Sequence, residues 1–246
     1  ATHTIMIQTD IIMATATNLN SEAPCANSLL ALLHISSPAL PVGAFAYSQG
    51  LEYALDHGWC NNADDVASWI EDNLAYGLGQ LDLPIFLRLY DAWLNSDMTQ
   101  IEYWNQMLLA FRETKELYLE DTQVGSAYGQ WHLGQDKSRE QYLQLCPQPS
   151  VVAMGSLASV LSGIDKPTAL LGFAWSWCEN QIACASKAMP MGQTDGQKIL
   201  QSLIPKITKI CEQAALIKDD EIGTGQMGLA LASSLHEQQY SRLFRS

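Results

Sequence analysis

The sequence predicts an all-α fold, a single globular helical domain of about nine to ten helices. Three observations predict it. Apolar residues recur at helical spacing through most of the 246 residues. Capping residues stand in front of several of these stripes. No stretch alternates convincingly between apolar and polar in the strand pattern, and no long internal repeat is visible.

Residues 1–26 are rich in Thr and Asn and lack amphipathic order. They are expected to form a disordered N-terminal tail. The helical domain is expected over residues 27–239, followed by a separate C-terminal tail at 240–246. Leu29, Leu30, Leu32 and Leu33 open a short apolar helix. Pro38 and Pro41 then lack backbone donors and bias Ser37 and Leu40 towards extended geometry, and Gly43 permits a turn. From Phe45 onward Leu51, Tyr53 and Leu55 with Ala46 and Ala54 suit a helix, ended by a left-handed Gly58. The stretch reads as a rigid corner between helices.

Asn62 can cap a helix with Asp64 and Asp65 in its first turn and Val66, Trp69, Ile70 and Leu74 facing inward. Leu83, Phe86, Leu87, Tyr90 and Leu94 continue the pattern after Pro84, a residue tolerated in a first turn. Thr99 and Glu102 have capping-box spacing before Tyr103, Met107, Leu108 and Phe111. A helix is expected from about Thr114 to Gly134, then a long loop over Gln135–Pro149. Val151–Leu161 form a small-residue helix stopping at Gly163. Ala169–Ala185 is the most apolar segment, interrupted by Glu179-Asn180-Gln181. Thr194 and Gln197 again have capping-box spacing, opening a helix to about Leu216 in which Pro205 can place a kink. A last helix is expected over roughly Gly225–Gln239.

Composition narrows the function classes. A hydrophobic share of 48% and mean hydropathy near zero describe an ordinary globule. The six cysteines are scattered, without a C-x-x-C pair, which favours reduced thiols over a disulfide framework. No apolar run approaches the roughly 18 residues of a membrane span. The N-terminal residues carry no basic signal region, so the chain is expected to be cytoplasmic. The net charge is −13 and unevenly spread: no Lys or Arg precedes Arg88, while nine acids do. Within residues 187–209 Lys187, Lys198, Lys206 and Lys209 are set against the single acid Asp195, and the last eight residues hold Arg242 and Arg245 with no acid. Nucleic acid demands a broad basic surface, so this pattern points away from it and suits protein partners met by charge complementarity. A merely solvated acidic face explains the same pattern.

Catalytic and ligand motifs are weak. Gly223-Thr-Gly225-Gln-Met-Gly228 matches G-x-G-x-x-G, but the fingerprint needs a preceding strand, and Lys218–Ile222 is charged and loop-like. Gly192–Lys198 misses the spacing of a phosphate loop. The five histidines are isolated, so a high-affinity metal site within one chain is not expected. No G-x-S-x-G is present. Glu179, among Trp175, Trp177 and Ile182, reads either as a paired or exposed structural acid or as the polar wall of an interface or passage. Tyr240, Arg242, Leu243, Phe244 and Arg245 are the residue types of interface anchors. A tail docked on its own domain is the alternative.

The corner sequence S-P-A-L-P-V-G-A-F-A-Y-S-Q-G-L-E (Ser37–Glu52) resembles the signature of the UreF family of urease accessory proteins. The resemblance extends from about Leu29 to Ser246. It includes Asp82–Pro84, Trp104-Asn105, Arg112–Leu117, Glu179–Gln181, the Lys187 region with Met191–Gln197, and the ending Q-Y-S-R-L-F-R-S. Gly223–Gly228 is richer in glycine than the family pattern. The resemblance implies an all-α maturation factor that is not an enzyme and holds no cofactor of its own. It implies a homodimer that binds UreD (also called UreH), recruits the GTPase UreG and docks on apo-urease, so that GTP hydrolysis is coupled to nickel delivery. A chaperone that itself binds nickel tightly is the alternative function. Carried onto this chain, the resemblance points to Tyr47, Glu52, Lys187, Tyr240, Arg242, Phe244 and Arg245 as partner-binding residues. Tyr47 and Arg242 would hold the corner and tail in a partner-ready arrangement, and Lys187 would contact the GTPase. Tyr47, Gln49 and Glu52 are expected on a surface that meets other chains.

Overall fold

A computed structural model describes residues 26–246; among them are eleven α-helices and no strand. The expectation for residues 1–26 falls outside the described residues except for Ala26, which opens α1. The helices are α1 (Ala26–Ile35), α2 (Leu51–Asp56), α3 (Ala63–Asp72), α4 (Asp82–Leu94), α5 (Met98–Ala110) and α6 (Lys115–Gln135). They continue with α7 (Glu140–Leu145), α8 (Val151–Leu161), α9 (Lys166–Ala188), α10 (Gln193–Ala214) and α11 (Met227–His236). The expected nine to ten helices are therefore slightly too few.

The centre is α4. All of it is buried except Arg88, Asp91 and Leu94. A helix apolar nearly all round must be enclosed on all sides. Here α5 and α8 pack closely on it, α9 and α10 close a further side, and α6 lies across α8. Leu83, Ile85, Phe86 and Leu89 have no exposed surface, and Trp93 donates its indole N–H to the Ala153 carbonyl at 3.1 Å. Close approach is set partly by Gly125 on α6: a Cβ there would stand 2.0 Å from the Pro149 carbonyl oxygen. Only a residue without a Cβ admits that crossing.

Of the expected caps Asn62 is used, and Thr114, Ser150 and Asp165 cap further helices for which the sequence reading names no cap. Asn62 accepts from the Asp64 and Asp65 amides, Thr114 from Leu117, Ser150 from Ala153 and Asp165 from Thr168. Two expected capping boxes are not used. Asp97, and not Thr99, caps α5, while α10 begins after Gly192 without a side-chain cap. A spacing match does not say which of several polar residues the backbone will choose. The expected loop at 135–149 instead contains a 3-10 turn, Lys137–Arg139, and the short α7, whose Tyr142 is buried. Glu179–Gln181 does not interrupt the apolar segment: α9 runs unbroken for 23 residues. Pro205 is accommodated inside α10, and α11 is shorter at both ends than expected.

The corner is more broken than the sequence suggests. The expected helix from Phe45 is a 3-10 turn at Ala44–Ala46, then extended Tyr47, then left-handed Gln49 (φ 52°) and Gly50 (φ 75°) before α2. A non-glycine residue in that region costs roughly 1–2 kcal/mol. Gln49 is held there from both ends of its amide: Nε2 donates to Glu120 Oε1 at 2.8 Å, and Oε1 accepts from Trp177 Nε1 at 2.8 Å. At Gly50 a Cβ would lie 3.0 Å from Ala232 Cβ, so this turn lets α11 pack against α2.

Candidate protein-protein interface

The C-terminal residues do not trail away from the domain. They lie against the corner and α2, held through backbone groups. The Leu243 amide donates to Glu52 Oε1 at 2.6 Å and the Phe244 amide to Glu52 Oε2 at 3.0 Å. The Arg245 amide donates to the Ala46 carbonyl at 2.8 Å. The Ser246 main-chain oxygen accepts from both the amide and the hydroxyl of Ser48, and its side chain donates to Glu120 Oε2 at 2.8 Å. Irregular chain buried against a domain must have its N–H groups satisfied, and Glu52 supplies two acceptors at once.

Beneath this ladder lies a buried charged cluster. Glu52 is 5% exposed and His236 not at all, and His236 has a ring nitrogen against each of Glu52 and Glu116. Arg242 donates to the other oxygen of Glu116 at 2.7 Å. Burial pushes the Glu120 carboxyl up to about 7, against the hydrogen bonds from Gln49 and Ser246. A second cluster lies beside it: Arg112 donates to Asp121 at 2.8 Å and to Asp82 at 2.5 Å. Burial raises the Asp82 carboxyl above its usual range, although Arg112 opposes that rise.

The sequence-predicted residues divide into two groups. Tyr47, Glu52 and Phe244 are buried, so their expected place on an open surface is not what the fold provides. Tyr47 donates its hydroxyl to Gln123 at 2.7 Å, while its carbonyl accepts from Asn180. Gln49 is half-buried, its amide turned inward. The reason is the tail itself, which covers the corner's polar members. Tyr240 and Arg245 are exposed, as is the neighbouring Leu243. Arg242 keeps about a third of its side chain in solvent while bound to Glu116 (37%). Lys187, exposed on α9, donates to the Leu243 carbonyl at 3.4 Å and stands 4.5 Å from the centre of the Phe244 ring. Phe45, 67% exposed, lies next to the Ala46 carbonyl that Arg245 binds. The outcome is an aromatic and cationic face on an acidic molecule.

Glu179 is half-buried at the wall of a cavity of about 240 Å³, whose lining also includes Ser36, Gln49, Glu120 and Asn180. Burial raises its carboxyl, partly offset by a hydrogen bond with Trp175. The cavity reaches Asp82, Arg112 and Asp121.

Sequence reading missed Ser48, Glu116, Glu120, Asp121, Arg112 and His236. The signal for Glu116 and Glu120 was faint but present: two acids one turn apart on a helix that otherwise buries Leu117, Val124 and Tyr128. Ionisable groups elsewhere offer little chemistry. Burial pushes the thiols of Cys146, Cys178, Cys184 and Cys211 up to about 12 and that of Cys60 up to about 11, which keeps them protonated and unreactive. Among the described residues no helix is long and apolar enough to cross a membrane, and no group of three or more His, Cys, Asp and Glu is arranged to hold a metal ion.

The UreF family model matches residues 60–204. Urease accessory protein UreF of Teredinibacter turnerae is 47% identical over 221 residues, covering 89% of this chain and 99% of its own length. The protein of the same name from Marinobacter nauticus is 45% identical over 231 residues, 94% of this chain and all of its own length. That of Hahella chejuensis is 46% identical over 220 residues, 89% of this chain and 98% of its own. Likeness at this level over nearly whole chains settles membership: the chain belongs to the UreF family of urease accessory proteins.

Proposed function

We propose that this protein is an adaptor in urease maturation, with no reaction of its own. It bridges UreD/UreH and the GTPase UreG on apo-urease in the cytoplasm, so that GTP hydrolysis is coupled to nickel delivery. Nickel is cargo on this reading and is not stored by the chain. The observation that carries the proposal is the docked tail. Its backbone is fixed by Glu52, Ser48 and Ala46, yet Tyr240, Leu243 and Arg245 stand exposed, with Lys187 at the Leu243 carbonyl and Phe45 next to the residue that Arg245 binds. A preorganised segment loses less entropy on binding than a mobile one, and aromatic and Arg side chains dominate interface energetics. The cationic face suits an acidic, apolar partner surface. The cavity beside Glu179 supports the passage reading of that residue. The exposed Leu29, Leu30 and Leu33 of α1 give a homodimer an apolar face to cover.

The test is co-purification with UreD and UreG. Full-length chain is compared with a chain ending at Gln239 and with a Tyr240→Ala, Arg245→Ala double variant, which keeps the backbone ladder. Lys187→Ala is measured in parallel for UreG alone. Loss of UreD or UreG in both altered tails supports the reading, and full recovery of both partners overturns the role of the tail.

A further inference from the structure

Tyr53, His57, Trp59 and Trp69 form a continuous aromatic row across α2, the turn after it and the end of α3. Tyr53 stacks on His57 with ring centres 3.8 Å apart and planes 15° from parallel. Trp59 stands edge to face against Tyr53 at 5.5 Å, and Trp69 follows Trp59 at 6.5 Å. The row is open to solvent: His57 and Trp59 are exposed, Trp59 by 40%, and Tyr53 and Trp69 are half-buried. Its backbone is fixed. Gly58 takes the left-handed conformation (φ 73°) that ends α2, and the Trp59 and Cys60 amides both donate to the Ala54 carbonyl, at 2.8 and 3.1 Å. Asn61 then locks the turn, its side chain donating to the Gly58 carbonyl and its amide to Asp65 Oδ2, each at 2.8 Å. Aromatic side chains on a fixed backbone lose little entropy on binding.

The row is rimmed by acid. Asp56, its side chain 63% exposed, lies 3.7 Å from the His57 ring at one end. Asp65 lies one helical turn before Trp69 at the other. Residues 51–72 contain six acids and no Lys or Arg. Among the described residues the only Lys or Arg in an ion pair with an acid of α2 or α3 is Lys206, with Glu71. Asp56 and Asp65 therefore have no strong cation from their own chain. Single exposed apolar residues are ordinary, whereas contiguous apolar surface with a charged rim marks a binding face. An indole with carboxylates beside it suits a guanidinium: the ring attracts the cation, its plane stacks, and the carboxylates accept its N–H groups. Nucleic acid is repelled by the same rim. The tail presents the reverse, a cationic face, so the two faces select partners of opposite charge.

We propose that the Tyr53–Trp59–Trp69 row is a docking face for an Arg-bearing segment of a partner protein, with a guanidinium seated against Trp59 and Asp56 and Asp65 as its anionic rim. The inference goes beyond the adaptor reading, which rests on the tail. An adaptor would use this face for a second partner, but the face itself is tested without one.

The experiment uses the full chain and a fluorescent synthetic peptide of alternating Arg and Gly, with binding read as anisotropy at low salt. Peptides with Lys or citrulline in place of Arg are measured beside it, since Lys keeps the charge and citrulline keeps the planar shape. The Arg peptide binds most tightly, then Lys, then citrulline. Trp59→Leu keeps an apolar contact, removes the indole and weakens the Arg peptide by roughly two- to fivefold for each guanidinium seated. The double variant Asp56→Asn, Asp65→Asn, in which a side-chain oxygen still accepts from the Asn61 amide, weakens it by roughly two- to fivefold. The control Glu140→Gln, Asp220→Asn makes the same charge change at exposed positions outside α2 and α3 and binds as the native chain does. Equal affinity for the Arg and citrulline peptides, native affinity in Trp59→Leu, or equal losses in the Asp variant and its control overturn the proposal. If Trp59→Leu does not fold, the Asp variant against its control decides. Sedimentation without peptide tests the other occupant: a smaller assembly in Trp59→Leu than in the native chain assigns the row to a second copy and overturns the partner. Capture of UreD and UreG by the tail variants does not enter these affinities, so the adaptor reading and this face fail separately.

Discussion

Ser48 grips the main-chain oxygen of Ser246 twice, with its amide at 2.6 Å and its hydroxyl at 2.7 Å, although the two residues are 198 apart in sequence. Both side chains are buried, and the same hydroxyl also accepts from the Glu52 amide at 3.3 Å. The corner is thus the receptor for the tail. Its broken backbone places Ser48 and Glu52 so that their polar groups meet the same short tail segment.

Ser48→Ala removes the hydroxyl and leaves the amide contact. The expected cost to docking is about 1–2 kcal/mol, which multiplies the open population by roughly 5–30. Tryptic cleavage after Arg242 should accelerate by that factor in the variant, with the global unfolding midpoint little changed. A cleavage rate equal to that of the native chain would show that the amide alone secures the tail.

Arg112 tests whether the neighbouring cluster is structural. Two of its three nitrogens reach Asp82 and the third reaches Asp121, whose other oxygen accepts from the Val151 amide at the start of α8. The guanidinium thus ties α4, α6 and α8 together. Against the effect of burial, the charges of Asp121 and Asp82 keep Arg112 protonated. Arg112→Met leaves two buried carboxylates without a cation and should cost about 3–5 kcal/mol. Asp219→Ala breaks the pair with Arg88, whose acid is 69% exposed, and should cost no more than about 1 kcal/mol. Urea unfolding midpoints of the two variants measure the contrast; equal shifts would contradict it.

How much of this was legible in the sequence depends on how far apart the interacting residues lie. Asn62 caps its helix through amides two and three residues away, so local reading finds it, and Thr114 and Ser150 bond amides equally near and are within reach of the same reading. Pro38, Pro41 and Gly43 announce a corner by their own backbone limits. The left-handed Gln49 is different, because its conformation is held by Glu120 and Trp177, 71 and 128 residues away. The site shows the same division. Tyr240 and Arg245, candidate anchors by residue type, stay exposed, whereas Glu52 and Phe244 are buried where tail and corner meet, a contact between residues 192 apart. His236 gave no signal at all: an isolated histidine near a helix end acquires meaning only when Glu52 and Glu116 arrive from other helices.

The last prediction concerns a second buried histidine. His132 is buried near the end of α6; its Nε2 donates to the Met154 carbonyl at 3.2 Å, and Nδ1 accepts from Arg139 at 3.4 Å. The Nδ1 lone pair is thus committed to a cation, which holds the ring in one neutral tautomer. Burial pushes its pKa down to about 4, with Arg139 adding to the fall and the Met154 bond opposing it. The unfolded chain binds this proton near pH 6.5, so the folded state forfeits stability as the pH drops from about 6.5 towards about 4. A depression of that size corresponds to roughly 3 kcal/mol, fully present above pH 6.5 and absent below 4. His132→Gln keeps a donor for Met154 and does not titrate. Unfolding free energies of the two proteins should therefore converge as the pH falls through this window, with the acid limb flatter in the variant. Parallel limbs from about pH 7 to pH 4 would mean that His132 ionises in the folded protein as readily as in the unfolded chain. In that event Arg139 would have to move away from the ring.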